Sequence, residues 1–383
     1  MKYIKRVLEG SVQRYLRNFP VVGITGPRQS GKSTMVKRLL ADSYEYVTFD
    51  DFQNISLYND DPVRFMRLHP DHVIFDEIQK VPQILDSIKL NVDAERNRHG
   101  KYVITGSSQF SFMKGVSESL AGRIGLLSLL PFQFSEVPDD LRRKAVYMGS
   151  YPEIVSRRFD TSLDWYSSYI ETYLTRDVRE LSNIGSFREF RRCLQLLVTR
   201  TAQILNMSEI ARDIGVTVAT VKNWISVLEA SYIVFLLPPF YENIGKRSIK
   251  SPKLYFYDTG IVSFLTGITS EDLFEKGPML GSIFENYVVS EILKKEKHVK
   301  ANSELYYLRT NHGVEIDVII DRKTTRELVE IKSSETLSPK MIKPIEQIRQ
   351  KNERGSVVYR GKDLDLTDGI FAVNYSHFLD PGK

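Results

Sequence analysis

One cysteine in 383 residues leaves no partner for a disulfide framework and no second thiol for a zinc cluster. That residue, Cys193, lies in RRCLQLLVTR, where the apolar spacing predicts the inward face of a helix. Such thin cysteine usage fits a reduced, cytoplasmic setting. Long hydrophobic runs are missing as well. The most apolar stretch, YIVFLLPPF from Tyr232, is far too short to cross a bilayer. The opening MKYIKRVLEGSVQRYLRNF has no apolar core of a secretion signal, so neither a membrane-embedded nor a secreted protein is expected. Low-complexity tracts and internal repeats are also missing, which sets aside disordered scaffolds and solenoids.

What is present is ordinary globular material: 42% hydrophobic and 26% charged residues, with 15 Pro and 22 Gly. The length suggests two or three domains. A net charge of +5 is compatible with contact to a polyanion, double-stranded DNA included, without requiring it.

The segment FPVVGITGPRQSGKSTMVKRLL reads as a buried strand, Val21 to Thr25, then a Gly-bounded loop, then a helix with Met35, Val36, Leu39 and Leu40 on its apolar face. The loop fits G-x-x-x-x-G-K-[ST]. Gly26 and Gly31 allow backbone angles at which successive N–H groups turn inward around phosphates at a helix N-terminus. Lys32 is expected at the β and γ phosphates and the Ser33 hydroxyl on Mg²⁺. The ATP-contacting set is therefore Gly26, Pro27, Arg28, Gln29, Ser30, Gly31, Lys32, Ser33 and Thr34. A second apolar strand, Val73 to Phe75, runs into Asp76, expected in the Mg²⁺ shell, and Glu77, expected to orient the attacking water. A third, Tyr102 to Ile104, ends in Thr105, Ser107 and Ser108, where open α/β sheets place ligands; one of these hydroxyls could sense the γ-phosphate, and Ser107 joins the expected ATP-contacting residues. Arg123 is a candidate arginine finger, and if a neighbouring copy supplies it the protein must self-associate.

Beyond this strand-rich part, helices are expected from Leu163 to Leu181 and from Phe187 to Leu205. The segment MSEIARDIGVTVATVKNWISVLEASYIV has the form of a helix-turn-helix. Ser208 is its expected cap, Ile210, Ala211 and Ile214 face inward, and Gly215 stands at the turn. Val221, Trp224, Ile225 and Leu228 form the second apolar stripe, while Thr220, Lys222, Asn223 and Ser226 point outward. Two strands follow, Tyr232 to Leu237 and Leu254 to Tyr257, joined by a loop carrying Lys246, Arg247, Lys250 and Lys253. That is a winged-helix pattern, able to touch phosphates with the wing and base edges with the second helix.

The last part begins with a helix, GSIFENYVVSEILKKE, and continues in strands at Glu304 to Arg309, Gly313 to Asp321 and Glu327 to Lys332. Two-residue alternation places Glu315 and Asp317 on one face of VEIDVII, and Glu330 and Lys332 on one face of LVEIKSS. Two carboxylates, Asp317 and Glu330, could hold Mg²⁺ to activate water, with Lys332 offsetting developing charge and Glu285 as a fourth member. A solvated face of salt-bridged Glu and Lys is the alternative.

In order along the chain come GPRQSGKST, FDEIQ, ITGSS, SLAGR, PFQFSE, GSYPEI, YLTRDV, SPKLYFYDTG, GSIFENYV, EIDVII and VEIKSS. Together they resemble a prokaryotic family of AAA-type P-loop ATPases whose C-terminal domain is similar to restriction-endonuclease folds of the PD-(D/E)XK type. The resemblance implies an α/β fold in three parts. These are an AAA-like P-loop NTPase domain with a parallel sheet over 1–140, a helical, winged-helix linker over 141–270, and an α/β nuclease-like domain over 271–383. It implies ATP and Mg²⁺ as cofactors, with Gly31, Lys32 and Ser33 binding, and Asp76 and Glu77 handling metal and water. It carries a nuclease-type centre onto Glu285, Asp317, Glu330 and Lys332. The expected function is ATP hydrolysis coupled to a DNA-directed, nucleolytic C-terminal domain. The alternative is an ATP-dependent DNA-binding or protein-contact regulator whose nuclease-like domain is catalytically silent. A metabolite kinase is disfavoured, because a long extension bearing a winged-helix pattern has no part in phosphorylating a small molecule.

Overall fold

Unbroken burial along Val21–Thr25 (β1), Val73–Asp76 (β3) and Tyr102–Thr105 (β4) marks strands covered on both faces. The computed structural model, which describes residues 3–106, 115–116, 118–174, 187–241, 251–367 and 369–382, places them at the centre of one sheet. Glu45–Thr48 (β2) and Ile124–Ser128 (β5) complete it in the order β2-β3-β4-β1-β5, with every pairing parallel. Parallel pairing requires crossovers, and helices supply them: Lys32–Leu39 (α2), Phe52–Asp60 (α3), Pro62–Leu68 (α4) and Ile84–Ala94 (α5), while Leu8–Asn18 (α1) precedes β1. Neighbouring strand residues feed opposite cores. Val21, Phe75, Tyr102 and Ile104 pack with Ile84 and Ile88, while Val22, Ile24, Ile74 and Val103 pack with Val12, Met35 and Val36. The first core is strongly aromatic, with Phe75 stacked 6.0 Å from Phe49 and 5.7 Å from Tyr102.

This sheet belongs to the first of two compact units, Met1–Phe132 with Ala230–Tyr232 and Lys297–Lys300; the second comprises Gln133–Glu229, Ile233–Glu296 and Ala301–Lys383. The second unit therefore carries most of what the sequence divides into 141–270 and 271–383.

Within it, helix Phe187–Thr199 stops short of the expected Leu205, because Gln203–Ile204 (β6) pairs as a strand. The expected helix from Leu163 is α-helical only over Ser162–Ser168 and π-helical over Tyr169–Leu174; its remainder lies outside the described residues. Helices Met207–Ile214 and Val218–Ala230 follow, with Gly215 at φ 85° between them. Their buried residues include Ile210, Ala211, Ile214, Val221, Trp224, Ile225 and Leu228. The cap differs from expectation. Asn206, in extended conformation, accepts from Glu209 N at 3.2 Å, and Ser208 sits exposed inside the first turn. Val234–Leu237 (β7) and Lys253–Phe256 (β8) pair antiparallel, giving the order β6-β8-β7. Lys246, Arg247 and Lys250 lie outside the described residues. Lys253 is not a loop residue: it stands in β8 and is 3% exposed.

The mixed sheet of this unit runs β13-β14-β12-β11-β10-β9, built from Glu304–Arg309 (β9), Glu315–Asp321 (β10), Arg326–Ile331 (β11), Arg354–Tyr359 (β12), Leu364–Thr367 (β13) and Ile370–Asn374 (β14). Helix Pro339–Ile348 lies on it, Ile345 packing with Ile316, Ile319, Leu328 and Val357. The three strands beyond β11 are not legible as strands in the sequence.

Several of the sequence motifs meet in a buried polar network of this unit. Asp258 accepts from Ser150 N at 2.7 Å, Gly260 N at 3.0 Å and the Tyr166 hydroxyl at 2.5 Å. Lys294 reaches Ser150 Oγ at 2.8 Å and Glu291 at 2.7 Å, and Asn286 bonds both backbone groups of Phe256. Gly149 is required beside it: a Cβ there would lie 2.1 Å from the Tyr166 hydroxyl, and its φ is 84°. Cys193 is buried, and burial pushes its thiol up to about 12. Among the described residues, no helix is long and apolar enough to cross a membrane.

Removing Asp258 strands the Ser150 and Gly260 N–H groups out of water and takes an acceptor from the Ser150 and Tyr166 hydroxyls. Asp258→Ala is expected to destabilise the protein by roughly 3 kcal/mol, read as a lower urea midpoint, whereas an unchanged midpoint would deny the network a structural role.

Candidate nucleotide-binding site and carboxylate cluster

The loop between β1 and α2 is shaped by close backbone approach. At Gly26, φ is 145° and a Cβ would lie 2.1 Å from the Leu129 carbonyl oxygen, while Leu129 N donates to Thr25 O at 2.8 Å. Gln29 (φ 60°) and Gly31 (φ 92°) turn the chain into α2, which opens at Lys32. The Lys32 ammonium is buried and curls over the loop, donating to the carbonyls of Gly26 at 3.0 Å and Pro27 at 2.9 Å. Pro27 and Ser30 are buried, Arg28 is half-buried, and Gln29 and Thr34 are exposed. From the N-terminal segment, buried Arg6 braces the loop from behind through Ser30 O at 2.8 Å and Leu130 O at 2.7 Å. Nothing local marks Arg6 in the sequence, since it stands well outside the motif.

With β4 between β1 and β3, three strand ends meet at one edge. Asp76 Oδ1 accepts from Ser33 Oγ at 3.2 Å and from Thr105 Oγ1, while Oδ2 accepts from the Tyr46 hydroxyl. Burial, and then Asp76 itself, push the Tyr46 phenol up, and the Lys37 ammonium lies 3.9 Å over its ring. Tyr46 escapes sequence reasoning because β2 has no apolar signature. Glu77 takes a left-handed conformation, φ 57°, costing about 1–3 kcal/mol, and accepts from Gln79 Nε2. Arg123 grips Asp93 on α5 in bidentate fashion, at 2.7 and 2.8 Å, and its hydrogen bonds hold that carboxyl below the usual range. Ser107, with Ser108, lies outside the described residues.

The second unit gathers the other candidates: Glu285 on helix Leu280–Val299, Asp317 on β10, and Glu330 and Lys332 at the end of β11. Lys332 lies 2.6 Å from Glu330 and 3.4 Å from Asp317, whose Oδ2 also accepts from Ile331 N at 2.9 Å. A further member is Lys253, whose ammonium is 2.6 Å from Glu315, 3.2 Å from Glu285 and 3.4 Å from Asp317. Tyr255, two residues along β8, donates to Glu285 at 2.8 Å. Burial first, and then the Asp317 charge, push the Glu285 and Glu330 carboxyls up. Burial would lower Lys253, but Glu285, Asp317 and Glu315 outweigh it and keep the ammonium charged.

Residues 18–138 match the AAA domain family, residues 139–272 a domain of unknown function (DUF8612), and residues 280–378 another (DUF4143). An uncharacterized protein of Mycobacterium tuberculosis is 29% identical over 382 residues, covering 99% of this chain and 85% of the relative. An uncharacterized protein of Methanocaldococcus jannaschii is 22% identical over 360 residues, covering 85% and 77% respectively. Among solved structures, the Walker-type ATPase of Pyrococcus abyssi aligns with a TM-score of 0.49 at 14% identity, over 69% of this chain and 96% of that one. The AAA match falls on the parallel sheet and its G-x-x-x-x-G-K-S loop, so the first unit is an AAA-like α/β domain of the ATP-binding class.

Gly26→Ala forces a methyl group against the Leu129 carbonyl. It is expected to destabilise the first unit by at least ~2 kcal/mol and to abolish nucleotide binding, checked by thermal melting with and without ATP.

Proposed function

We propose that the protein is a Mg²⁺-dependent ATP hydrolase whose nucleotide cycle controls a nucleic-acid-facing second unit. The observation that carries the first half is the convergence of Lys32, Ser33, Asp76, Glu77 and Thr105 on one edge of the parallel sheet. ATP phosphates would sit on the N–H groups of residues 26–34, with the Lys32 ammonium drawn from the loop carbonyls to the β and γ oxygens. The facing oxygens of Ser33 and Asp76, 3.2 Å apart, are donors of the kind Mg²⁺ takes, and the ion would neutralise phosphate charge. Glu77 then orients and polarises water. Thr105 holds the Asp76 carboxylate in place from the neighbouring strand. An arginine finger from Arg123 would need its pair with Asp93 to break.

The nucleic-acid half rests on the two helices Met207–Ile214 and Val218–Ala230 and the β7–β8 hairpin, which support a winged-helix reading. Lys222, Asn223 and Ser226 are exposed on the second helix. A contact role is favoured over strand cleavage for the PD-(D/E)XK-like part, because the Lys253 ammonium lies among its carboxylates.

Lys32→Ala is expected to abolish ATP turnover, and Glu77→Gln to slow it by roughly 10²-fold or more while ATP still binds. Turnover that survives Lys32→Ala would remove the first half. Double-stranded DNA is expected to change the wild-type rate, and a rate indifferent to saturating DNA would remove the second. Plasmid incubated with Mg²⁺ or Mn²⁺, with and without ATP, should remain intact; cleavage lost in Asp317→Ala would instead establish a nuclease.

A further inference from the structure

The nuclease-like reading of the second unit calls for a divalent cation between Asp317 and Glu330. The residues present do not fit one. We propose that Lys253 itself supplies the cation of this cluster: its ammonium takes the place that a divalent ion would need, making a closed ion-pair core that excludes Mg²⁺ and Mn²⁺.

The donor count supports this. An ammonium offers three N–H donors. Three carboxylates surround that of Lys253, Glu315 at 2.6 Å, Glu285 at 3.2 Å and Asp317 at 3.4 Å. Lys253 is 3% exposed, so water does not share the work of solvating the charge. The opposite side of Asp317 is equally engaged, Oδ2 lying 3.4 Å from Lys332 and 2.9 Å from Ile331 N. Glu285 Oε1 is shared between Lys253 and the Tyr255 hydroxyl. Of the cluster's oxygens, Glu330 Oε2 has no hydrogen-bond partner among the described residues. With the ammonium seated among Glu285, Glu315 and Asp317, the oxygens that face it are already paired, and the near-octahedral oxygen set that Mg²⁺ demands is not free at that point. Consistently, among the described residues no group of three or more His, Cys, Asp and Glu side chains is placed to hold a metal.

Lys253 reaches the cluster from β8, in the SPKLYFYDTG motif, while Glu285 comes from helix Leu280–Val299 and Asp317 from β10. The ammonium thus ties three elements of the second unit together. A metal would do the same in a metalloenzyme, but it would also activate water, and Lys253 brings no exchangeable ligand position. It is a positioning residue.

This inference rests on the non-cleaving reading of the second unit but is tested by binding. Nucleotide-free full-length protein is titrated with Mn²⁺ by calorimetry, as wild type, Asp317→Asn, Lys253→Met and Lys253→Met/Asp317→Asn. Wild type is expected to give no saturable binding that depends on Asp317. Lys253→Met is expected to gain a saturable site, and the added Asp317→Asn to lose it. Saturable Mn²⁺ binding by wild type that Asp317→Asn abolishes would overturn the proposal, as would a folded Lys253→Met that binds no Mn²⁺. Should Lys253→Met fail to fold by circular dichroism, the comparison of wild type with Asp317→Asn still decides. An intact plasmid together with Mn²⁺ bound at Asp317 would leave the contact role standing and sink only the lysine's part.

Discussion

A charge removed from water must be matched by partners inside the protein, and that constraint shapes both sites of this chain. Lys32, Asp76, Lys253, Asp317 and Glu330 are all at least nine-tenths buried. The two clusters meet the requirement by different means. Around Asp76 the partners are neutral hydroxyls, from Ser33, Tyr46 and Thr105, and Lys32 rests on loop carbonyls. Neutral dipoles are partners that a phosphate and its cation can replace at modest cost, so the arrangement is ready for a ligand. Around Asp317 the partners are full opposite charges, Lys253 and Lys332. Separating charges at low dielectric costs several kcal/mol, and a site held that way resists exchange.

The same constraint explains the sequence motifs that carry no chemistry of their own. GSYPEI and SPKLYFYDTG contribute Ser150 and Asp258 to one buried network, and GSIFENYV contributes Asn286, which satisfies the backbone of Phe256; in such places every donor and acceptor has to be accounted for. Gly149 leaves the space that Tyr166 and Asp258 fill. These residues have to be present together, because a half-satisfied polar network is worse than an apolar core. Their presence speaks for a shared fold of the second unit and says little about catalysis.

Much of the first unit is legible in the chain, and the reason is local. The P-loop compresses a strand, a turn with defined backbone angles and a helix start into consecutive residues, so Gly26, Gly31, Lys32 and Ser33 can be located without knowing the sheet. Asp76 and Glu77 follow because an apolar strand ending in acids is also a local pattern. Tyr46, Thr105's bond to Asp76 and Arg6's brace are not local. Tyr46 sits on a short strand of mixed burial, and Arg6 meets Ser30 and Leu130 only after the chain has folded back. Asn206 and Ser208 are both good caps by residue type, and only backbone conformation separates them.

In the second unit, strand alternation alone puts Glu315 with Asp317 and Glu330 with Lys332, since a period of two is enforced by the pleat. The sequence by itself thus determined which residues could serve at each site and the elements that would carry them. It could not determine where the charge of Lys253 would go: in the chain it belongs to a basic run, Lys246 to Lys253, that reads as a solvated loop. Only the tertiary structure placed it in β8, against Glu285 and Asp317, residues distant in sequence. Ion pairing between distant elements follows from their packing, and packing has no signature in the spacing of neighbours.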